Sequence, residues 1–413
     1  MEPGRAVVTT ADPSTVGRAR FAALFALYLV PGLALASWIT RTPAIRDALA
    51  VNTAGMGVLF FCLAAGSLSG VLAGTPLVLR WGTRTTIGLT LTLWIGGTVV
   101  IAGGTALGAP VLVGAGLACF GAGLGCAEIA FNIDGAALER ERGRSVLPYL
   151  HGAFSLGTVI GGVGGILCTV GGVPAPLQLG VSAAIATIAA LAALRAIPAG
   201  TGRRVRDDAE DARPPRAPWR DGRVVRIGIV VLVLALAEGT ANDWLPLVMV
   251  DGHGLSESTG SLVYTTFAAA MTIGRIAGPQ LLRVVPRVAV VAGSAVFAGM
   301  GIVLIVVAPT PALAYAAVVM WGLGAALAFP VCISAAAEGD PATSSQRVGA
   351  VAATGYIGFL AGPAALGFLG EAVGIRFALL AVLALVVVAA TLSPAVRPPR
   401  GTPATDRRAA APR

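Results

Sequence analysis

The chain has 413 residues, of which 56% are hydrophobic and 12% are charged, and its formal net charge is +9. A soluble protein of this length carries about twice that charged fraction, so the composition argues against a soluble domain. All 29 basic residues are arginines and they lie between apolar runs, which argues against a nucleic-acid-binding face. The five cysteines show no spacing typical of a disulfide framework or a metal site.

Apolar runs recur along the whole chain, and a membrane-spanning helix needs about 20 apolar residues. The sequence therefore predicts an all-α, polytopic membrane protein with twelve transmembrane helices in a lipid bilayer. The predicted spans are 20–40, 53–75, 85–105, 110–135, 148–171 and 176–197 in the first half, and 225–248, 259–281, 288–308, 311–335, 347–370 and 373–393 in the second.

The distribution of arginine predicts the orientation of these helices. With the N-terminus inside, every arginine except Arg41, Arg46 and Arg376 falls on the cytoplasmic side, as the positive-inside rule requires. We therefore expect a protein of the plasma (inner) membrane with both termini in the cytoplasm. The apolar run that begins at Phe21 has no cleavage signal and is predicted to be a retained first span.

The composition also predicts four segments along the chain. Residues 1–198 are expected to form an N-terminal six-helix bundle with a short cytoplasmic N-terminus, and residues 225–393 a C-terminal bundle. The stretch between them, 199–224, is rich in proline and charge and has little to bury, so we expect a cytoplasmic linker. The tail, 394–413, is expected to be disordered.

The two halves resemble each other in sequence. "GVLAGTPLVLRWGTR" (70–84) and "GRIAGPQLLRVVPR" (274–287), offset by 204 residues, both place two glycines four apart before an apolar turn and two arginines. "GLG" recurs at 123–125 and 322–324, with an offset of 199 residues. These echoes predict two pseudo-symmetric bundles, with a transport pathway at the interface of the two halves.

Glu128 lies in "GLGCAEIAFN", an otherwise apolar stretch of the fourth predicted span. At 1.5 Å per residue it is about 13 Å from the cytoplasmic boundary, close to mid-membrane. A charge there costs roughly 2.5–3.5 kcal/mol, so such residues face a water-filled cavity or a partner. Asn132 is one turn further on, on the same helix face. Two interpretations stay open: a proton-coupling carboxylate and a structural, hydrogen-bonded glutamate.

A second polar group lies in "AEGTANDWLPL" (237–247) of the seventh predicted span. Glu238 and Asn242 repeat the one-turn spacing of glutamate and asparagine, which predicts proton coupling by the first and substrate contact by the second. Asp243 is either another proton-coupling carboxylate or a boundary residue in outside water. Trp244 is either an interfacial anchor or a ring against the substrate.

Further candidates lie in the first and fifth predicted spans. His151, near the start of the fifth span, either relays protons to Glu128 or caps the helix entrance, and it could bond the neighbouring segment "LERERGR", interpreted as a solvated loop. Tyr28 and Trp38 of the first span and Ser155 of the fifth are candidate substrate contacts.

Twelve predicted spans in a 6+6 duplication, a charged linker and a Gly–Arg loop between spans two and three resemble the major facilitator superfamily. The loop pattern of that family is Gly-x-x-x-Asp-Arg-x-Gly-x-Arg, and this chain has "LRWGTR" with Leu79 at the acidic position. The resemblance implies the transporter fold and a gating role for the loop and its second-half counterpart. The residues so assigned are Arg80, Gly82, Arg84, Arg283 and Arg287.

"GCAEIAFN" (125–132), followed by "LHGAFSLG", resembles the fucose-permease-like, sugar:proton symporter branch of that superfamily. There the fourth span carries Gly-Cys-x-Glu-x-x-x-Asn and the glutamate couples transport to protons, which implies the same role for Glu128. The branch also has an aspartate in its first span, and this chain has no acid there. Coupling is therefore expected to rest on Glu128 alone or on Glu128 with Glu238.

The sequence thus predicts a secondary active transporter that moves a small organic solute, sugar-like or amphiphilic, by alternating access and a proton gradient. The glycine ladder "GTVIGGVGG" (157–165) resembles an antiporter pattern, so export of a drug or metabolite by proton antiport is an alternative. A non-transporting membrane sensor is a remote one. No enzyme motif is present, and we expect no cofactor, no metal, no nucleic-acid partner and a monomer.

Overall fold

The computed structural model describes residues 13–143, 146–203, 218–307, 310–338 and 341–398. Within these residues the chain forms thirteen α-helices and no strand, as predicted for the fold class. The helices are α1 (Pro13–Ile39), α2 (Thr42–Leu49), α3 (Thr53–Trp81), α4 (Thr83–Ala106), α5 (Pro110–Arg142), α6 (Leu147–Val170), α7 (Ala175–Ala193), α8 (Gly222–Leu247), α9 (Glu257–Val284), α10 (Arg287–Val307), α11 (Pro311–Ala337), α12 (Pro341–Val373) and α13 (Ile375–Leu392).

Eleven of the helices in the described residues are long and apolar enough to cross a membrane. The short helix α2 has 8 residues, and α9 has 28 residues but is more polar because it carries Glu257, Arg275 and Arg283. At 1.5 Å per residue α9 is about 42 Å long, which exceeds a hydrocarbon core of roughly 30 Å. The structure confirms an all-α, multi-pass architecture.

The internal contacts divide the chain into two compact units. The first unit comprises the described residues of Met1–Arg41 and Cys62–Asp208, and the second those of Thr42–Phe61 and Ala209–Arg413. Helix α3 contributes residues to both units. For each unit, the N side is defined as the side on which its first long helix, α1 or α8, begins, and the opposite side is the far side.

Glycines bring helices of the first unit into backbone contact. Gly66 and Gly70 of α3 face Gly121 and Gly125 of α5, and a methyl group on any of the four would overlap a carbonyl oxygen of the other helix. Gly157 of α6 lies in the same way against the backbone of α1. Small residues at four-residue spacing permit this approach, so these helix pairs have fixed separations.

In the second unit, α2 and the start of α3 are held on the far side of α8 and α12. Glu371 of α12 accepts hydrogen bonds from the first two backbone N–H groups of α3, at 3.0 and 3.4 Å. Arg46 of α2 forms an ion pair with Asp251. Burial alone would lower the pKa of the Arg46 guanidinium, but hydrogen bonds and charges from Asp251 and Asp47 raise it. The Arg46 guanidinium therefore stays charged at neutral pH.

The segment "LERERGR", interpreted from the sequence as a solvated loop, is helical up to Arg142, so that interpretation was wrong. Glutamate and arginine are good helix formers, and α5 continues until Gly143 ends it in a left-handed conformation with φ 62°. Glu139 then accepts hydrogen bonds from Val146 and Leu147 backbone nitrogens at 2.7 and 3.1 Å. The backbone N–H groups at the start of α6 are therefore satisfied by this glutamate.

The predicted linker, 199–224, is described only at its two ends, because residues 204–217 lie outside the described part of the chain. At its start, the carbonyl oxygen of Thr201 accepts a hydrogen bond from the backbone nitrogen of Thr83 at 2.8 Å. At its end, α8 begins already at Gly222. The first residues of the linker therefore pack against the turn between α3 and α4.

The predicted tail, 394–413, starts with ordered backbone. Residues Ser393–Val396 form a short 3-10 helix in which Val396 is buried, because this apolar end packs on the second unit. Arg223 of α8 donates to the carbonyl oxygen of Ala395 at 3.2 Å. The rest of the predicted tail, 399–413, lies outside the described residues.

Candidate functional site

In the first unit, side chains from α1, α5 and α6 meet around the amide of Asn132. The Tyr28 hydroxyl donates to Asn132 Oδ1 at 2.9 Å, and His151 Nε2 lies 3.0 Å from the same oxygen. The rings of Tyr28 and His151 are in edge contact with centroids 5.2 Å apart. Because an amide oxygen only accepts hydrogen bonds, His151 carries a proton on Nε2 in this arrangement.

Glu128 lies one turn before Asn132 on α5. Its side chain is exposed, and its carboxylate is close enough to Tyr28 to interact with it electrostatically. Cys119 of α5 is also exposed, but it lies nine residues before Glu128 and therefore about 180° around the helix from it. The two residues are thus exposed on opposite sides of α5. Glu128 thus faces the same side as Tyr28, Asn132 and His151, and we call these four residues the Asn132 cluster.

The sequence builds the Asn132 cluster through small residues on the helices that carry it. Gly32 of α1 and Gly157 of α6 let the two backbones touch, and Gly135 of α5 lies against leucines of α6. Tyr28 is one turn before Gly32, and His151 is six residues before Gly157. The close helix contacts therefore bring these two rings together beside the amide of α5.

In the second unit, Glu238 of α8 forms an ion pair with Arg275 of α9, with 2.9 Å between Oε1 and Nη2. The side chain of Glu238 is 13% exposed and that of Arg275 is 41% exposed. Asn242, one turn after Glu238, and Asp243 are both half-buried. The pair neutralises two charges that would each be costly alone in apolar surroundings.

The two tryptophans predicted to contact substrate are enclosed by protein. Trp38 is 1% exposed and Trp244 is 0% exposed, and the Trp244 ring packs edge-on against Phe60 with centroids 5.0 Å apart. Interpreting Trp244 as an interfacial anchor was therefore wrong, because its indole lies inside the second unit. In this arrangement neither indole presents surface to a solute. Ser155, half-buried on α6, is one turn after His151.

The N side of the first unit is held by Arg20, a residue that the sequence did not single out. Its Nε donates to Asp134 Oδ1 at 2.7 Å, and its Nη1 donates to both carboxylate oxygens of Glu141 at 2.7 and 2.8 Å. Thr83 donates to the other oxygen of Asp134 at 2.5 Å. The side chains of Arg20 and Asp134 are 3% and 0% exposed, so this network joins α1, α4 and α5 through buried charge.

The N side of the second unit is held by Arg223 and Arg347. Arg223 donates to the carbonyl oxygen of Ala335 at 3.0 Å, and Arg347 to that of Ala336 at 3.0 Å. Glu338 lies 3.5 Å from a nitrogen of Arg223 and 2.5 Å from Nη1 of Arg287. The carbonyl groups that the end of α11 leaves without helical partners are thereby satisfied.

Among the predicted gating residues, Gly82 and Arg287 make defined contacts. Gly82 has φ 80°, and an added Cβ would lie 3.1 Å from the Cα of Gly200, so both conformation and space favour glycine. The Arg80 guanidinium lies 5.8 Å from the centre of the neighbouring indole. Three of the gating candidates are exposed: Arg80, Arg84 and Arg283.

Several charged residues of these networks were missed at the sequence level, among them Arg20, Asp134 and Arg275. Arg275 lies inside the predicted span 259–281, and Asp134 lies inside the predicted span 110–135. A charge within an apolar run is a signal in its own right and would have identified both. Arg20 stands at the edge of a predicted span, where it resembled a topology-setting charge.

Comparisons with known proteins agree with this architecture. A profile of the Major Facilitator Superfamily matches residues 21–352. An "uncharacterized MFS-type transporter" of Yersinia pestis is 28% identical over 370 residues, which cover 88% of this chain and 92% of the relative.

Two solved structures share the fold. A mutant of the nucleoside transporter NupG superposes with a TM-score of 0.78 at 16% identity, covering 91% of this chain and 99% of that one. The E. coli fucose:proton symporter FucP superposes with a TM-score of 0.60 at 18% identity, covering 92% and 98%. At these identities the likeness demonstrates the fold alone.

Proposed function

The chain belongs to the Major Facilitator Superfamily, and from this premise we propose that it transports a small organic solute in a reaction coupled to protons through Glu128. Membership makes it a multi-pass membrane protein and a secondary transporter, and excludes an enzyme. The proposal concerns the finer points: the coupling ion, the residues that bind it, and the kind of solute.

One observation carries the proposal. Glu128, in the middle of an apolar span, is exposed and stands beside a hydrogen-bonded tyrosine, asparagine and histidine. A carboxylate that only stabilised the fold would be enclosed by its partners, because an ionised group in hydrocarbon is costly. An accessible carboxylate among polar groups is suited to bind and release a proton.

The remaining members of the Asn132 cluster have separate roles in this proposal. An imidazole can accept a proton at one ring nitrogen and donate one from the other, so His151 is suited to pass protons to the carboxylate. The half-buried amide of Asn132 binds hydroxyl or carbonyl groups of the solute. Tyr28, predicted from the sequence to contact the solute directly, is only 4% exposed, so its hydroxyl orients this amide instead. A fucose:proton symporter among the structural neighbours supports the pairing of a proton with a polar organic solute.

We also propose that the protein lies in the plasma membrane. In the proposed orientation the N side of each unit faces the cytoplasm. The arginines at helix ends support this orientation: Arg20, Arg80 and Arg142 lie on the N side, whereas Arg41 and Arg46 lie on the far side. An excess of arginine on one side marks the cytoplasmic face of membrane proteins.

The test uses the full chain reconstituted in liposomes that contain a pH-sensitive dye. Fucose, uridine, benzoate and a quaternary ammonium drug are added one at a time, and solute flux and internal pH are followed together. We expect at least one of these solutes to move protons in the wild type. We expect Glu128→Gln to abolish the proton movement, because an amide cannot titrate.

Glu257→Gln, which removes a carboxylate from the first turn of α9, is the matched control and should retain wild-type coupling. Unchanged proton movement in Glu128→Gln would assign coupling to another group and refute the proposal. Solute flux without proton movement in the wild type would refute proton coupling. Absence of flux for every solute would favour the sensor alternative.

A further inference from the structure

Arg275 makes fewer hydrogen bonds than Arg20 and Arg223, the arginines that hold the N sides of the two units. Arg20 donates four hydrogen bonds, to Asp134 and Glu141, and Arg223 donates four to Glu338 and three carbonyl oxygens. The structure gives Arg275 a single hydrogen bond, to Glu238. A guanidinium has five N–H donors in a planar fork, so most of the donors of Arg275 remain available.

Arg275 lies away from the most exposed apolar side chains of α9. Ile273 and Ile276 are 63% and 70% exposed and mark the outward apolar face of the helix. At 100° per residue they lie about 160° and 100° around the helix from Arg275. Tyr264 is about 20° from Arg275 on the same face, and it is 2% exposed.

The neighbouring part of α8 supports the same conclusion. From Val230 to Leu247, no residue of α8 is exposed, and the half-buried positions include Glu238, Asn242 and Asp243. A helix surface that touched lipid would have exposed apolar side chains, as α9 has at Ile276. Leu232 and Leu236 are the other half-buried residues of this stretch, and they lie on a different side of α8 from Glu238 and Asn242. The side that pairs with Arg275 is therefore polar, so the space beside Arg275 suits a hydrated solute.

We infer that Arg275 is the binding residue for an anionic group of the transported solute, and that Glu238 occupies its guanidinium when no solute is bound. This inference rests on the proposed transport function and specifies its substrate class as organic carboxylates. An arginine fork holds a carboxylate through two parallel hydrogen bonds, whereas Glu238 uses only one of its donors. A substrate carboxylate can therefore displace Glu238 with a gain in hydrogen bonding.

The chemistry of the site separates this inference from a structural ion pair. If the pair only stabilised the fold, removing Arg275 would leave the Glu238 carboxylate, 13% exposed, without its counter-charge and would destabilise the protein, and neither substitution would change anion binding. If Glu238 is a placeholder for a substrate carboxylate, removing it should strengthen anion binding, and removing Arg275 should abolish it. The two single substitutions therefore have opposite expected effects on binding.

The experiment measures binding of lactate, benzoate and nicotinate to the purified full chain, each against its neutral amide, by calorimetry in nanodiscs of phosphatidylcholine alone. We expect at least one carboxylate to bind the wild type about 10- to 100-fold more tightly than its amide, as a charged hydrogen-bonded contact implies. Arg275→Gln should remove that preference, and Glu238→Gln should increase it. Arg226→Gln, which removes an exposed arginine from α8, is the matched control and should change neither.

Two results would overturn the inference: none of the three carboxylates is preferred over its amide, or the preference survives Arg275→Gln. A second set of nanodiscs with phosphatidylglycerol separates solute from lipid. If Arg275→Gln alters only the stabilisation by this anionic lipid, the guanidinium binds a headgroup and the inference fails. Proton movement with fucose or uridine that depends on Glu128 but not on Arg275 would leave the proposed function intact and refute the anionic substrate class.

Discussion

The N sides of the two units are both held by an arginine near the start of the first long helix, but the partners differ. Arg20 binds two carboxylates and is almost fully buried, with side-chain exposure of 3%. Arg223 binds mainly backbone carbonyl oxygens and is 19% exposed. Both units thus have an arginine at this place, but it binds carboxylates in the first unit and mainly backbone carbonyl oxygens in the second.

The difference shows where each unit is vulnerable. A buried ion pair is intolerant of losing one member, because the remaining charge is left in a low-dielectric interior. A cation that caps backbone carbonyls near the surface can be replaced in part by water. The first unit should therefore depend more strongly on its arginine network than the second.

The largest effect is expected for Asp134→Ala, which leaves Arg20 buried with only Glu141 as a charged partner. The loss should be about 3–5 kcal/mol, measured as a lower thermal midpoint of the purified protein and lower yield in membranes. Glu141→Gln is the control, because Glu141 is 57% exposed and its contribution is screened. The double substitution Arg20→Met with Asp134→Leu should recover most of the stability. Equal effects of the two single carboxylate substitutions would show that burial does not distinguish them.

An intermediate effect is expected for Arg223→Met in the second unit. The carbonyl groups at the end of α11 lose one of two arginine donors, and Arg347 still bonds Ala336, so the loss should be about 1–3 kcal/mol. Thermal unfolding of Arg223→Met and Asp134→Ala, measured in parallel, ranks the two stability losses directly. Arg226→Gln is the surface control. A loss as large as that of Asp134→Ala would make the two units equivalent and refute the comparison.

The smallest effect is expected at the turns that follow α3 and α9. The first unit has Gly82 with φ 80°, whereas the second unit has Pro286 at the related position. Gly82→Ala should cost about 1–2 kcal/mol, because a side chain strains this conformation. Gly88→Ala, inside α4 with open space around it, should be neutral or stabilising by about 0.5–1 kcal/mol. Equal melting temperatures for the two alanine variants would show that the turn of the first unit has no conformational requirement.

Much of the fold was predictable because its signals are local. Apolar runs identify the spans, and the four-residue spacing of Glu128 and Asn132 places both on one helix face without any tertiary information. The echoes between the two halves predicted a duplicated helical architecture. Helix ends were less predictable: the charged residues before Gly143 have the composition of a loop but the helix propensity to extend α5.

The partners of the polar side chains were not predictable. Tyr28 and His151 meet at Asn132 only because glycines bring their helices together, and Arg275 meets Glu238 across 37 residues of sequence. No periodicity carries such pairings, since they depend on how whole helices pack. The two tryptophans illustrate the same limit, because a sequence does not show which face of a span is enclosed.

The glycine contacts between α3 and α5 have a mechanical consequence. With no side chains interposed, the two helices have no rotamers to rearrange and cannot absorb a displacement by repacking. The two helices are therefore expected to move as one rigid body. Glu128 lies on α5 within one turn of Gly125. Within the first unit, a tilt of α3 should therefore move α5 and the Glu128 carboxylate with it.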